Sequence, residues 1–328
     1  MEEYIILGII IGIIIIFFTT TYICYRMTFF SKKRPLKSDK IILPDQGIYA
    51  LYTNQIKNDI LDAEKMPYKS LSVISHDGLT LRGKFYEYQK NAPIEIMFHG
   101  YRSNGKRDMS TGIKRAFLCG HSALVVDQRA SGESEGHTIS FGINERLDAL
   151  LWAKLANKEF GENVPIFLTG ISMGGATVTL ASCLDLPNNV IGILADCPFH
   201  NASDIIKKVI DGMKIPSKIA YPFVKLGAKI YGKFDLEATS SFDAVKNAKV
   251  PIIIFHGKID EYIPYQMSEK LYEVCVTKKK FVLIDNADHG LCYLVDPDKY
   301  LKEAREFFKE IEKDFYQKSI NIKQHNIN

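Results

Sequence analysis

The sequence predicts an α/β fold: a mostly parallel sheet of eight strands with helices on both faces, carrying a small helical cap and preceded by one transmembrane helix. Three observations predict it. From Leu71 onward, short apolar runs rich in Val, Ile and Phe alternate with segments of helical period. One interval of more than fifty residues interrupts that alternation. The run from Tyr4 to Tyr25 contains no charged residue.

The apolar run comes first in the chain. Its core, Ile5 to Phe18, is Ile, Leu, Phe and two glycines. Twenty helical residues cover about 30 Å, the thickness of a bilayer's hydrocarbon core. A secretory signal would open with basic residues and close with a small-residue cleavage site, whereas Glu2 and Glu3 open this chain. A core helix of a soluble domain would not need apolar residues on every face. Residues 4–25 therefore read as an anchor, with Tyr4 and Tyr22 at the two interfaces. Arg26, Lys32, Lys33, Arg34, Lys37 and Lys40 follow on one side only, which places the body on the cytoplasmic side of a cell membrane. Gly8 and Gly12 form a G-x-x-x-G that could pair two copies in a weak dimer.

Residues 26–70 read as a basic juxtamembrane linker with one helix around Ala50 to Ala63. The main domain runs over 71–316, with the cap at about 197–245 and a polar tail at 317–328.

Charge excludes one class of partner. Of 42 Lys and Arg and 38 Asp and Glu, six and three lie in residues 1–40, leaving 36 against 35. Such a near-neutral body has no excess cations to neutralise phosphates, so no nucleic-acid partner is expected. The six cysteines are scattered without a C-x-x-C, as in a reduced compartment, and no metal or cofactor motif is present.

The strand candidates are Leu71 to Ser75, Leu79 to Tyr86, Ile94 to Phe98, Ala123 to Val126, Ile166 to Thr169, Val190 to Ala195, Ile252 to Phe255 and Phe281 to Ile284. His76-Asp77-Gly78 joins the first two as a hairpin turn. Continuously apolar runs such as Ile252-Ile253-Ile254-Phe255 suit parallel strands buried on both faces. The interval between Ala195 and Pro251 holds the helix-like stretches Ser203 to Met213 and Ser217 to Tyr231 and reads as the cap. Tyr300, Leu301, Ala304, Phe307, Phe308, Ile311 and Phe315 recur at helical spacing and predict a closing amphipathic helix.

The chemistry-bearing residues sit at the ends of these strands. Gly170-Ile171-Ser172-Met173-Gly174-Gly175 lies between a strand and a helix. A nucleophile on a tight strand-to-helix turn needs small neighbours because the backbone doubles back on itself. A serine hydroxyl needs a base, and the base needs a partner that fixes its tautomer. His289, in Asn286-Ala287-Asp288-His289-Gly290 just beyond the last strand, is the candidate base. Asp260 is the candidate acid, with Asp196 its competitor, although Asp196 could equally cap the first cap helix. The oxyanion donors are assigned to the backbone N–H groups of Tyr101, in His99-Gly100-Tyr101-Arg102, and of Met173. His99 reads as a loop brace.

These motifs, with Asp127-Gln128-Arg129-Ala130-Ser131-Gly132-Glu133-Ser134 and His256 to Pro264, resemble the α/β-hydrolase superfamily over about residues 70–316. The resemblance is closer to single-pass bacterial hydrolases grouped with serine aminopeptidase-like and monoacylglycerol-lipase-like members. It implies an eight-stranded α/β-hydrolase sheet, a Ser172, His289, Asp260 triad, and hydrolysis of a carboxylic ester through an acyl-enzyme. Thioester or amide hydrolysis would use the same residues, and a non-catalytic membrane-tethered binding module is the alternative of another class. Ala130 stands where family members commonly have glycine. Asp127 and Arg129 are expected to brace loops. Phe141, Met173, Phe199, Tyr262 and Tyr293 are expected to line an uncharged pocket for a small or lipid-like acyl ester.

Overall fold

The computed structural model describes residues 1–32, 43 and 46–325. Eight strands form one sheet: β1 (Lys69–Ile74), β2 (Thr80–Tyr86), β3 (Ile94–Phe98), β4 (Ser122–Val126), β5 (Ile166–Ile171), β6 (Val190–Asp196), β7 (Ile252–Gly257) and β8 (Lys279–Ile284). Their order across the sheet is β1-β2-β4-β3-β5-β6-β7-β8. β1 and β2 pair antiparallel, β2 pairs antiparallel with β4, and β3 to β8 are mutually parallel. Each strand lies within two residues of its sequence expectation.

Eleven helices are described: α1 (Glu2–Thr28), α2 (Tyr49–Lys65), α3 (Gly105–Cys119), α4 (Glu145–Phe160), α5 (Met173–Ala181), α6 (Ala202–Gly212), α7 (Ser217–Ile230), α8 (Ser241–Val245), α9 (Gln266–Val274), α10 (Cys292–Val295) and α11 (Pro297–His325). Successive residues of a strand point to opposite faces, and both faces are covered. Ile252 and Ile254 join a core with Trp152 of α4, Val178 of α5, Val245 of α8 and Leu271 of α9. Ile253 and Phe255 face Tyr300, Ala304, Phe307 and Phe308 of α11. This two-sided burial is why the parallel strands read as unbroken apolar runs.

The chain winds outward in one direction from β3 to β4 and in the other from β5 to β8, so the sheet's switch point lies between β3 and β5. A crevice opens at the carboxyl ends of strands at such a point because the two flanking crossovers diverge. The loops carrying Gly100 and Ser172 border it.

The excursion between β6 and β7 is a helical cap of α6 and α7, followed by α8. Asn201, not Asp196, caps α6, its side chain accepting from the Ser203 N–H. Phe199, Ile205, Ile206, Tyr221 and Val224 form a second core with Phe141 and Met173, and Tyr25 and Phe29 from the end of α1 belong to it.

α1 is long and apolar enough to cross a membrane, and nearly all of its apolar run is exposed. Gly8 and Gly12 face open space. Lys33, Arg34, Lys37 and Lys40, on which the orientation expectation leans, lie outside the described residues.

The segment expected as a linker is built in at both ends. Phe29 is fully buried, Phe30 bridges Thr138, and α2 packs on α3. Phe29 belongs to the cap core and Ile60 and Ala63 of α2 are buried, which a count of linker charges does not reveal. The closing helix likewise runs to His325 rather than ending before residue 317.

Gly227 of α7 seats α1 by close approach. A Cβ there would lie 2.9 Å from the Thr21 carbonyl oxygen and 3.1 Å from the Tyr25 Cβ. Gly227→Val should therefore lower stability by about 1–3 kcal/mol through overpacking, read as a drop in Tm of the detergent-solubilised full chain. Gly212→Val, with nothing within 4 Å of its Cβ position, should fall by much less.

Candidate active site

Ser172 sits at the turn between β5 and α5 with φ 56° and ψ −118°, a left-handed conformation that costs a non-glycine residue energy. The surrounding glycines make the turn feasible. A Cβ on Gly170 would fall 2.2 Å from the Gly174 carbonyl oxygen, and one on Gly174 only 1.9 Å from the Phe98 carbonyl oxygen. The Ser172 N–H donates to the Asp196 carbonyl at 2.8 Å, which fixes the turn to β6.

The three side chains read from the sequence converge. The Ser172 hydroxyl lies 2.9 Å from His289 Nε2, and His289 Nδ1 lies 2.7 Å from Asp260 Oδ2. Because a carboxylate accepts from Nδ1–H, the Nε2 lone pair is left facing the hydroxyl. Tyr262 covers the imidazole edge-on at 5.1 Å.

Asp260 is buried and held by three donors: the Ile263 N–H at 2.7 Å, His289 Nδ1, and His256 Nε2 at 3.2 Å. Burial raises its pKa, but the hydrogen bonds from His256 and His289 outweigh burial and bring the carboxyl from 3.8 down to about 2. His256 is itself fully buried between the Ile263 carbonyl and the Ser268 hydroxyl. His256 lies within the sequence motif with no part assigned to it; only the fold shows that it turns back onto Asp260.

Asp196 makes no hydrogen bond to His289. It is buried beside Cys292 and Tyr300, its carboxyl is raised chiefly by burial, and its Oδ1 has no partner among the described residues. Cys197, Asp260 and His289 place potential ligand atoms within 4.8 Å of one another. Asp260 and His289 are already bonded to each other, however, and burial pushes the Cys197 thiol well up, against the thiolate a metal needs.

The loop after β3 lies against Ser172. A Cβ on Gly100 would be 3.6 Å from the Ser172 Cβ. Asp108 of α3 accepts the Gly100 N–H at 2.9 Å and the Ser103 hydroxyl at 2.5 Å, tying the loop down. Met173 is the first residue of α5, so its N–H has no acceptor within the helix. Among the described residues neither it nor the Tyr101 N–H has a hydrogen-bond partner. The Tyr101 side chain points away from Ser172: its hydroxyl donates to the Thr28 carbonyl at 2.6 Å, and Arg102 Nη2 donates to the Met27 carbonyl at 2.6 Å. The end of α1 thus holds the loop.

The bracing residues are as expected. His99 is buried, its Nε2 accepting the Gln128 N–H at 3.0 Å. Asp127 accepts the N–H groups of Gly105 and Glu133, and Arg129 pairs with Asp148 and Asp77. Ala130 adopts φ 61°, the left-handed region that explains why glycine is common there and that costs alanine about 1 kcal/mol.

A cavity of about 500 Å³ opens at Ser172 and His289 and runs between α2, α3 and α10. Tyr262 and Tyr293 line it as expected. Phe141, Met173 and Phe199 do not; they are spent in the cap core, packed round Phe29 and Tyr221. The lining also carries charge, since Arg115, paired with buried Glu95, and Asp108 border it. Tyr49, at the start of α2, reaches the site and hydrogen-bonds the His289 carbonyl, where burial keeps its phenol well above its ordinary pKa. No motif marks Tyr49, because its place depends on how α2 docks.

Comparison with known proteins agrees with this architecture. Residues 90–243 match the serine aminopeptidase family, a stretch that includes Ser172 and ends before Asp260 and His289. A Bacillus subtilis protein of uncharacterised function is 24% identical over 253 residues, covering 76% of this chain and 82% of its own. A thiohydrolase of Aspergillus aculeatus is 30% identical over 147 residues, 43% of this chain, which spans about half of that relative's length, 45%. A Pyrococcus furiosus esterase superposes with a TM-score of 0.63 at 18% identity, covering 86% of this chain and 98% of that one, a likeness of fold. With its strand order, its switch-point crevice and these likenesses, the chain has the α/β-hydrolase fold.

Proposed function

We propose that the chain is a serine hydrolase that cleaves a carboxylic ester through an acyl-enzyme and is held at a cell membrane by α1, its body on the cytoplasmic side. The single observation that carries this reading is His289 bridging Ser172 and Asp260 at 2.9 and 2.7 Å. Ser172 Oγ attacks the ester carbonyl as its proton passes to His289 Nε2. Asp260 stabilises the imidazolium, and the Tyr101 and Met173 N–H groups hold the oxyanion. Collapse expels the alcohol, which takes the proton from His289. Water then attacks the acyl-enzyme with His289 as base, releasing the carboxylic acid and restoring Ser172.

The largely apolar cavity supports an acyl chain in preference to a charged group. Thioester hydrolysis is the second reading, favoured by the similarity to the Aspergillus thiohydrolase. A purely binding role has less support, since all three reacting side chains are present and mutually bonded.

Ser172→Ala is expected to lower kcat by about 10⁶ on p-nitrophenyl acyl esters and to abolish labelling by a fluorophosphonate probe. Full activity in that variant would refute the assignment. Parallel rates on acyl esters, acyl-thioesters and aminoacyl-amides, measured with the full chain, rank the substrate classes, and turnover of amides alone would overturn the ester reading.

Asp260→Asn should lower kcat by about 10⁴ without loss of fold. Asp260 has a depressed folded-state pKa, so its stabilisation is fully present above its ordinary value of 3.8 and is lost as pH falls through about 2. Between pH 4 and 2 the Tm of the wild-type chain should fall more steeply than that of Asp260→Asn; identical slopes would contradict the hydrogen-bonded carboxylate.

A further inference from the structure

The cap does not sit apart from the apolar helix. Phe223 of α7 meets Phe17 at 5.5 Å between ring centroids, Gly227 meets Thr21 and Tyr25, and Tyr231 meets Tyr22 at 5.1 Å and Tyr25 at 5.7 Å. The Tyr231 hydroxyl also donates to the Phe18 carbonyl at 3.3 Å. These contacts rise together along both helices, so α1 and α7 run side by side in the same direction. Phe17 lies eight residues, about 12 Å, before Tyr25. The first turn of α7 and the α6–α7 turn continue past the level of Phe17, alongside the apolar run of α1.

That end of the cap is apolar and uncovered: Met213 is 56% exposed, Ile215 45% and Ile219 66%. Around it the cap is cationic, with seven Lys and two Asp between Ala202 and Lys233. Lys214, Lys218 and Lys229 are exposed and have no acidic partner among the described residues. Apolar side chains at the tip of a lysine-rich helical pair fit the boundary between headgroups and acyl chains, where lysine stems reach back to anionic headgroups. A soluble protein partner would leave the neighbouring apolar face of α1 unaccounted for, whereas a bilayer covers both.

We infer that the α6–α7 tip, centred on Met213, Ile215 and Ile219, is a second membrane contact, seated in the leaflet around the C-terminal half of α1 and selective for anionic lipid. The inference rests on the reading that α1 spans the membrane. With α1 holding Tyr101 and Arg102 at its end, such seating fixes the rim of the cavity at the same surface.

Tryptophan quenching tests both layers separately. Trp152 is the only native tryptophan and is fully buried, so it gives a constant background. The full chain carrying Ile10→Trp in α1, Ile219→Trp in the cap, or Val276→Trp just before β8 at the far rim of the sheet is reconstituted in vesicles of acyl-brominated phosphatidylcholine, with and without phosphatidylglycerol. The expected result is about a twofold loss of added fluorescence at positions 10 and 219 and little at 276. The loss at 219 should be larger with phosphatidylglycerol and reversed by Lys214→Glu with Lys218→Glu, leaving position 10 quenched. Quenching at 10 but not at 219 overturns the second contact while keeping the anchor. No quenching at 10 removes the anchor and the inference with it, and equal quenching at 219 in both vesicles overturns the anionic selectivity.

Discussion

The turn at Ser172 is the constraint on which the rest depends. A residue with a side chain is held at φ 56° because β5 must end, reverse and enter α5 within a few atoms of β3. The Phe98 and Gly174 backbones are so close that no Cβ fits at Gly174. This contact pins the hydroxyl at the switch point, and every other element of the site is placed relative to it. Loosening the turn would displace the Ser172 hydroxyl from the His289 imidazole, which itself sits on a different strand's loop.

Asp260 illustrates how burial and hydrogen bonding compete. Taken from water alone, its carboxyl would be pushed toward the neutral form; the hydrogen bonds from His256 and His289 reverse that outcome, beside the Ile263 N–H as a third donor. His256 acts from the end of β7 and orients a residue only four positions away, so a single strand end supplies both Asp260 and its clamp. The imidazole of His289 then inherits one orientation, with its free nitrogen toward Ser172.

The membrane-length helix is also part of the α/β domain's core. Tyr25 and Phe29 fill the underside of the cap, and its final carbonyls, which a helix leaves unpaired, are taken up by Tyr101 and Arg102. An arginine at a helix C-terminus is electrostatically favoured as well. Removing α1 would therefore disturb the loop that presents the Tyr101 N–H, and the cap would lose one wall.

The eight strands were legible in the sequence, and so were the three side chains, Ser172, His289 and Asp260, that the fold brings together. Strand periodicity, strand-end placement and glycine spacing are local consequences of backbone geometry, and the eight strands and the serine turn follow from them. The cap interval was legible from its length. Which groups meet came from the packing instead: His256 on Asp260, Asp108 on Gly100, Tyr49 at His289, and the end of α1 on Arg102. It also moved Phe141 and Phe199 from the expected pocket wall into the cap core and gave the cavity its charged border. These outcomes depend on how helices with similar apolar faces dock on one another, and docking is set by shape and satisfied polar groups across distant segments, which no local pattern encodes.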